Sequence, residues 1–415
     1  MRYCVRCSYP ENHPLGISFD GEGVCSGCRI HEEKDILDWK ERLERLKLIC
    51  NQYKNKSRST HDCIIPVSGG RDSYFIVDFV INELKMRPLL VNYNSHYNTR
   101  LGIRNLSYLK TLIGADFMQC TVSPERIKKI TRETLNLRGS LYWHILAGQT
   151  VFPVRSAVHY KIPLIIWGAH QGIDQVGMFS HLDEVEMTRK YRKEHDLMSL
   201  EAEDLLNSDN DLNLLDLEQF IYPSDKELGV VGVRGIYLNN YIRWDSKAQH
   251  EKMIKKYGYE TMGQQRTFDT YNDVDSFHYS GIHDEIKFIK YGYGKVSDHA
   301  AREIRLKRMS YEQGKELVKK FQNIKPNDLD LFLNWLEMDK DHYYSLIEKF
   351  RLKENKKNDK LISIVNPSEH KENYNKLIDN ARLVQKGNCN FQLNESRQPN
   401  IREDKYILIG RGWVG

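Results

Sequence analysis

The apolar positions of this chain change their spacing along its length. Between residues 31 and 53, Ile36, Trp39, Leu43, Leu46 and Ile49 recur at helical period with charged residues between them, which predicts one amphipathic helix. A polar run, 54–60, reads as a linker. Cys63-Ile64-Ile65-Pro66-Val67 is then a continuous apolar segment of the buried-strand kind, followed by Ser68-Gly69-Gly70-Arg71-Asp72-Ser73 and a helical pattern in Phe75, Ile76, Phe79 and Val80. Two more strands are predicted at 89–93 and 164–167, the second ending in Gly168-Ala169-His170. Strand, loop, helix and strand in this order predict a parallel α/β sheet, whose ligands lie at the carboxyl ends of strands.

From 191 to 220 the chain becomes acidic and leucine-rich (Glu201, Glu203, Asp204, Asp209, Asp211, Asp216), which predicts a helical insertion. Past Gly235 it is rich in Tyr, Trp and Gly and carries His283-Asp284 and Tyr291-Gly292-Tyr293-Gly294-Lys295. Helical spacing returns at 300–350, followed by a charged stretch at 353–360 and a strand-like 406–409. The implied division is 1–55, an amino-terminal module with a linker helix; 61–190, the α/β domain; 191–310, an insertion and substrate-completing region; and 311–415, a helical part with a terminal strand. There is no internal repeat.

Composition narrows the function classes. Of 415 residues, 62 are Lys or Arg against 57 Asp or Glu, a net charge of +5, and 40% are hydrophobic. That is enough apolar content for a core, and it excludes disorder for the bulk of the chain. The charge bias is too weak for a dedicated nucleic-acid binder and suits anionic small molecules equally. No apolar run reaches the roughly 18 residues needed to cross a bilayer, and the amino terminus lacks a signal-peptide pattern, so a cytoplasmic protein without membrane attachment is expected.

Four of the eight cysteines form two Cys-x-x-Cys pairs, Cys4/Cys7 and Cys25/Cys28, with turn residues between them. Four thiolates at this spacing close a tetrahedral Zn²⁺ site of the ribbon type. Cys50, Cys63, Cys120 and Cys389 are scattered and read as small buried hydrophobes.

The segment Ser68–Ser73 carries the most chemistry. Adjacent glycines let the backbone curl around an anion, and the following helix directs free N–H groups at the same point, so phosphate is the natural guest. Asp72 fits there as a Mg²⁺ partner or as a helix cap. Gly-x-x-x-x-Gly-Lys-Ser/Thr is absent, since Gly294-Lys295 and Gly314-Lys315 continue with Val296 and Glu316. The tail Gly410-Arg411-Gly412-Trp413-Val414-Gly415 matches a dinucleotide fingerprint without a helix after it.

The segment resembles the PP-loop, Ser-Gly-Gly-x-Asp-Ser, of the N-type ATP pyrophosphatases, which split ATP between its α and β phosphates. The resemblance extends further. The two cysteine pairs, the loop, Asn92-Tyr93-Asn94-Ser95, Pro163-Leu164-Ile165-Ile166-Trp167-Gly168 and the His283-to-Asp298 region, in this order, resemble the N-acetyl sugar amidotransferase family up to about Tyr311. Members turn an acetamido group of a bacterial surface sugar, as in lipopolysaccharide O-antigen or flagellar nonulosonates, into an acetamidino group. The resemblance implies ATP, Mg²⁺ and Zn²⁺ as cofactors. Ser68, Gly69, Gly70, Arg71, Asp72 and Ser73 would hold pyrophosphate and Mg²⁺.

Asn92 and Tyr93 would line the adenosine side or simply end a strand; Gly168 and His170 stand at the next strand end. Lys287, Lys290, Lys295, Arg302 and Arg305 are candidates to receive the leaving pyrophosphate or to be solvated charges, with Lys295 favoured by its flanking glycines. His283 and Asp284 are a proton-transfer pair or a turn. Tyr291 and Tyr293 stack on a ligand or pack internally. Asp72, Lys295, His283 and Asp284 are thus the expected catalytic set.

The family also implies a separate glutaminase subunit for ammonia, HisH-like or HisH-like together with a HisF-like protein, and an acetamido sugar or nucleotide sugar as substrate. Two other readings stay open: a PP-loop tRNA thiolation enzyme, and a zinc-ribbon binding module with a degenerate loop.

Overall fold

The computed structural model describes residues 1–55, 60–208, 210–276 and 281–352. The stretch 353–360, Cys389, the strand expected at 406–409 and the glycine-rich tail lie outside the described residues, as do 56–59 of the linker and Asp209.

Five parallel strands form the centre: β1 (Cys63–Pro66), β2 (Pro88–Tyr93), β3 (Asp116–Cys120), β4 (Leu164–Trp167) and β5 (Arg234–Tyr237), in the order β3-β2-β1-β4-β5. Ile64 stands opposite Leu89 on one side and Ile165 on the other, and Leu164 opposite Arg234. β1 is buried on both faces, which is why it reads as an unbroken apolar run rather than an alternating one. On one face Ile65, Leu90, Ile166 and Ile236 pack under α3 (Arg71–Asn82) and α4 (Arg100–Leu112). On the other, Ile64, Val91 and Ile165 meet Val151 and Val154 of α6 (Trp143–Tyr160), which follows α5 (Pro124–Arg138). The chain runs from β1 outward to β3 and then crosses to β4, so a crevice opens between the carboxyl ends of β1 and β4.

The expected single helix at 31–53 is two: α1 (Ser26–Ile36) and α2 (Trp39–Tyr53). Asp38 starts the second by accepting from the amides of Lys40 and Glu41, and the turn leaves Ile36 83% exposed, out of the core. Leu46 and Cys50 of α2 are fully buried against the sheet domain. The acidic segment is helical, as expected, but in short pieces, including a π-type turn at Arg192–Asp196 and helices Ala202–Leu206 and Leu214–Leu217. Its leucines Leu197, Leu205 and Leu217 are buried with Trp143 and Phe220. The last region is helical as expected: Lys295–Arg305, Tyr311–Phe321, Leu329–Leu336 and Lys340–Glu348. Among the described residues no helix is long and apolar enough to cross a membrane.

Candidate active site at the crevice between β1 and β4

After β1 the chain turns sharply and α3 begins at Arg71, with Gly70 as its extended N-cap. The two serines brace the loop: the amide of Ser68 donates to Ser73 Oγ (2.8 Å) and that of Gly70 to Ser68 Oγ (3.0 Å). A Cβ on Gly69 would stand 2.4 Å from the carbonyl oxygen of Gly102 and 3.2 Å from Asp275 Cβ. Gly69 is therefore required by backbone approach, and three segments distant in sequence meet at the loop.

Two cavities flank it. The first, about 190 Å³, is bounded by Ser68, Arg71, Asp72 and Ser73, by Tyr142 and Gln149 beside α6, and by Asp273 and Asp275 opposite. The second, about 270 Å³, shares Arg71, Asp72 and Asp273 as a wall and reaches Ala169 after β4; Lys34 of α1 and Lys295, Arg302 and Arg305 line it. Arg71 lies over the ring of Tyr271 at 5.5 Å, with Arg302 on the same ring at 5.4 Å. Asp269, also buried, accepts from Arg302 (2.7 Å), and against its burial His299 and Arg302 hold it ionised, below the usual carboxylate range.

Asp273 adopts a left-handed φ of 55°, a conformation a non-glycine residue seldom takes. Burial pushes its carboxyl up to about 7; Lys295 and Arg71 oppose this, and the neighbouring charge of Asp275 adds to it. Asp275 is likewise raised by burial, while a hydrogen bond with Ser68 and the charge of Arg71 oppose the rise. Asp72, Asp273 and Asp275 line one cavity beside a phosphate-type loop, and carboxylate oxygens are the donors a hard divalent cation such as Mg²⁺ takes.

The structure brings five of the six loop residues to the first cavity, with Gly69 behind them. Lys295 lies in the second, its Nζ donating to Gln264 Oε1 (2.6 Å); burial lowers its pKa, opposed by Asp273 and Asp284. Other expected residues stand outside both cavities. Asn92 is buried between strands, donating to the carbonyl of Val67 (2.7 Å) and accepting from Gln119 (2.8 Å). Tyr93 packs on Gly148 and pairs with His144 (3.2 Å). Gly168 abuts Ile76, and His170 is buried with its ring 4.3 Å from that of Tyr191.

His283 packs tilted against Tyr142, ring centroids 4.8 Å apart, and burial lowers it to about 3. Asp284 pairs with Arg266 (2.7 Å) and accepts from the amide of Lys295, so it supports the second cavity's wall from behind. Lys287 pairs with Asp298, Lys290 donates to the carbonyl of Arg138 (2.6 Å), and Tyr293 packs edge-on against Tyr9. The sequence reading passed over Asp273, Asp275, Tyr142, Gln149 and Lys34. Only the Asp-Val-Asp triplet carries a legible signal, two acids on either side of a buried valine.

At the amino terminus Cys4, Cys7, Cys25 and Cys28 are brought together, all buried, their Sγ atoms within 4.8 Å of one another. Cys4 and Cys28 are 3.9 Å apart and Cys7 and Cys25 3.6 Å. Tetrahedral Zn²⁺ with bonds of about 2.3 Å sets sulfur edges of about 3.8 Å, so the cluster fits that ion. The amides of Arg6 (3.4 Å) and Cys25 (3.3 Å) donate to Cys4 Sγ, which stabilises a thiolate. Short antiparallel bridges, Tyr3 with Pro10 and Phe19 with Cys25, frame the cluster, consistent with the expected zinc ribbon.

Residues 251–367 match the family described as LPS biosynthesis protein WbpG-like, C-terminal domain. That span contains Asp273, Asp275, Lys295, Arg302 and Arg305, and the match agrees with the sugar amidotransferase resemblance. Among solved structures the chain is similar to an NH3-dependent NAD synthetase from Campylobacter jejuni subsp. jejuni NCTC 11168 in complex with the nitrate ion. The identity is 12%, covering 47% of this chain and 92% of that one, with a TM-score of 0.27. It is also similar to an NMN synthetase from Francisella tularensis, at 11% identity, 53% and 96% coverage and a TM-score of 0.27. The fold assignment rests on the sheet itself and not on these likenesses. No curated protein matches the chain.

Proposed function

We propose that this chain is an ATP-dependent amidotransferase of lipopolysaccharide-type sugar biosynthesis that converts an acetamido group into an acetamidino group. The observation that carries the reading is the intact Ser68–Ser73 loop at the head of α3, facing Asp273 and Asp275 across the first cavity. In this reading the loop amides and Ser73 hold the β and γ phosphates, and Arg71 neutralises the departing pyrophosphate. Asp72, Asp273 and Asp275 would hold Mg²⁺, which supplies charge neutralisation on the phosphates when bound.

The sugar's amide oxygen attacks the α phosphorus, the bond to the β phosphate breaks, and pyrophosphate leaves. Ammonia then adds to the imidate carbon, AMP departs with the amide oxygen, and the lost protons go to solvent. Lys295, Arg302 and Arg305 favour an anionic sugar or nucleotide sugar in the second cavity. Lys295 serves here in positioning, while the placement of His283 and Asp284 behind the walls favours support over proton transfer.

Burial pushes the thiol of Cys50 up to about 12 and raises Cys63 and Cys120 as well, which suits packing rather than glutamine hydrolysis. In this reading ammonia comes from a separate glutaminase subunit, HisH-like or HisH-like with a HisF-like protein, and the reaction belongs to the ATP-rich cytoplasm. The test is incubation with ATP, Mg²⁺, ammonium and a panel of acetamido sugars. AMP and pyrophosphate in step with an acetamidino product are expected. AMP formed only with tRNA and a sulfur donor would transfer the chain to the thiolation class, and no AMP under any condition would contradict ATP chemistry here.

A further inference from the structure

The cysteine cluster and the second cavity share one side chain. Arg305 lines the cavity, and its guanidinium lies where a side chain on Gly27 would project, a Cβ there falling 2.5 Å from Nη2. Nη2 donates to Cys25 Sγ (3.3 Å), Nη1 donates to the carbonyl of Gln175 (2.6 Å), and the group lies over the Tyr9 ring at 5.3 Å. Nε has no hydrogen-bond partner among the described residues, although Arg305 is only 9% exposed. A buried N–H donor is thus left beside a cavity that also presents Lys34, Lys295 and Arg302.

On the other side, a Zn²⁺ held by four thiolates carries a formal charge of −2, and donors to the sulfurs tune how firmly such a centre keeps its ion. We propose that Arg305 links the two sites: Nη2 holds the metal-bound Cys25 thiolate while Nε receives an oxyanion in the second cavity. Nε and Nη2 are neighbouring arms of one rigid guanidinium fork, so a contact that fixes Nη2 also fixes where the Nε–H points, and each contact pre-positions the group for the other. By reciprocity, an anion favoured by the metal-loaded protein must tighten metal binding, which transfer to a competing chelator reads. Arg305 is then a positioning residue for the cavity, and the inference concerns metal and anion alone, so it stands or falls apart from amidotransfer.

The experiment uses the full zinc-loaded chain and follows metal transfer to a chromogenic chelator, with and without sulfate at constant ionic strength. Arg305→Gln should lose its metal about 10–100-fold faster. Arg305→Lys, which keeps the charge, should recover part of that retention. Lys307→Gln, which removes a surface charge paired with Asp35, should behave as wild type. Sulfate should slow release several-fold in wild type and not in Arg305→Gln. Equal release from wild type and Arg305→Gln would overturn the metal contact; a sulfate effect absent from wild type, or persisting in Arg305→Gln, would overturn the link. Where Arg305→Gln does not fold, cobalt-loaded wild type gives the answer: sulfate should shift the thiolate-to-cobalt charge-transfer band, and an unmoved band overturns the proposal.

Discussion

Asp273 illustrates what a single carboxylate contributes when it is buried beside its own kind. With its folded value near 7 and an ordinary value near 3.8 when unfolded, the native state holds the extra proton between those limits. Stability from this group is therefore greatest at low pH and falls as pH rises from about 4 to 7. Asp273→Asn should accordingly raise the melting temperature at pH 8 more than at pH 5, while abolishing AMP formation. Stabilisation by Mg²⁺ should grow as pH rises through about 7, because the cation needs the ionised carboxylate; thermal melts with and without Mg²⁺ across this range check both points. Gly69→Ala forces a Cβ against the Gly102 carbonyl, backbone against backbone. It should cost about 1–3 kcal/mol in unfolding measurements and sharply reduce ATP turnover. Gly69 and its loop are legible in the sequence because local chemistry alone defines them. Asp273 and Asp275 show only as two acids about a valine and Lys34 not at all, since their role arises when segments some 40 to 200 positions away fold against the loop.

At the level of elements, β1, β2 and β4 can be read from the chain because each is a central strand of apolar residues. β3 lies at the sheet edge, half exposed, and β5 is Arg-Gly-Ile-Tyr, so neither stands out from its surroundings. The break between α1 and α2 is a capping event that helical periodicity runs straight across. Asp38→Ala should weaken α2 by about 1 kcal/mol, seen as a lower melting temperature with unchanged activity. Asn92 was a nucleotide candidate by its place at a strand end, yet its side chain ties β1, β2 and β3 together. Asn92→Ala should cost about 1–3 kcal/mol in stability and leave KM for ATP near wild type. A large rise in KM without loss of stability would instead place Asn92 on the nucleotide.

Over the whole molecule the cavities are composite. The amino-terminal module supplies Lys34, the sheet domain Arg71 and Ala169, and the segment matched to the WbpG-like family Asp273, Lys295 and Arg305. The module is keyed in place by Gly177 (φ +64°), where a Cβ would stand 2.4 Å from the Ser26 carbonyl oxygen, and by Ser26 Oγ donating to the carbonyl of Val176 (2.5 Å). Chelating the metal should therefore lower the melting temperature of the whole chain in one cooperative transition rather than detach a separately melting unit, as differential scanning calorimetry would record. The cysteine spacing announces the metal site, but its contact with the second cavity through Arg305 appears only in three dimensions. The most direct test of the central claim is an isotope experiment with a sugar carrying ¹⁸O in its acetamido group. Activation of the amide oxygen by ATP requires that label to leave in the phosphate of AMP, in equal amount with the acetamidino product. Label found in pyrophosphate or inorganic phosphate, or AMP formed without it, would contradict the account.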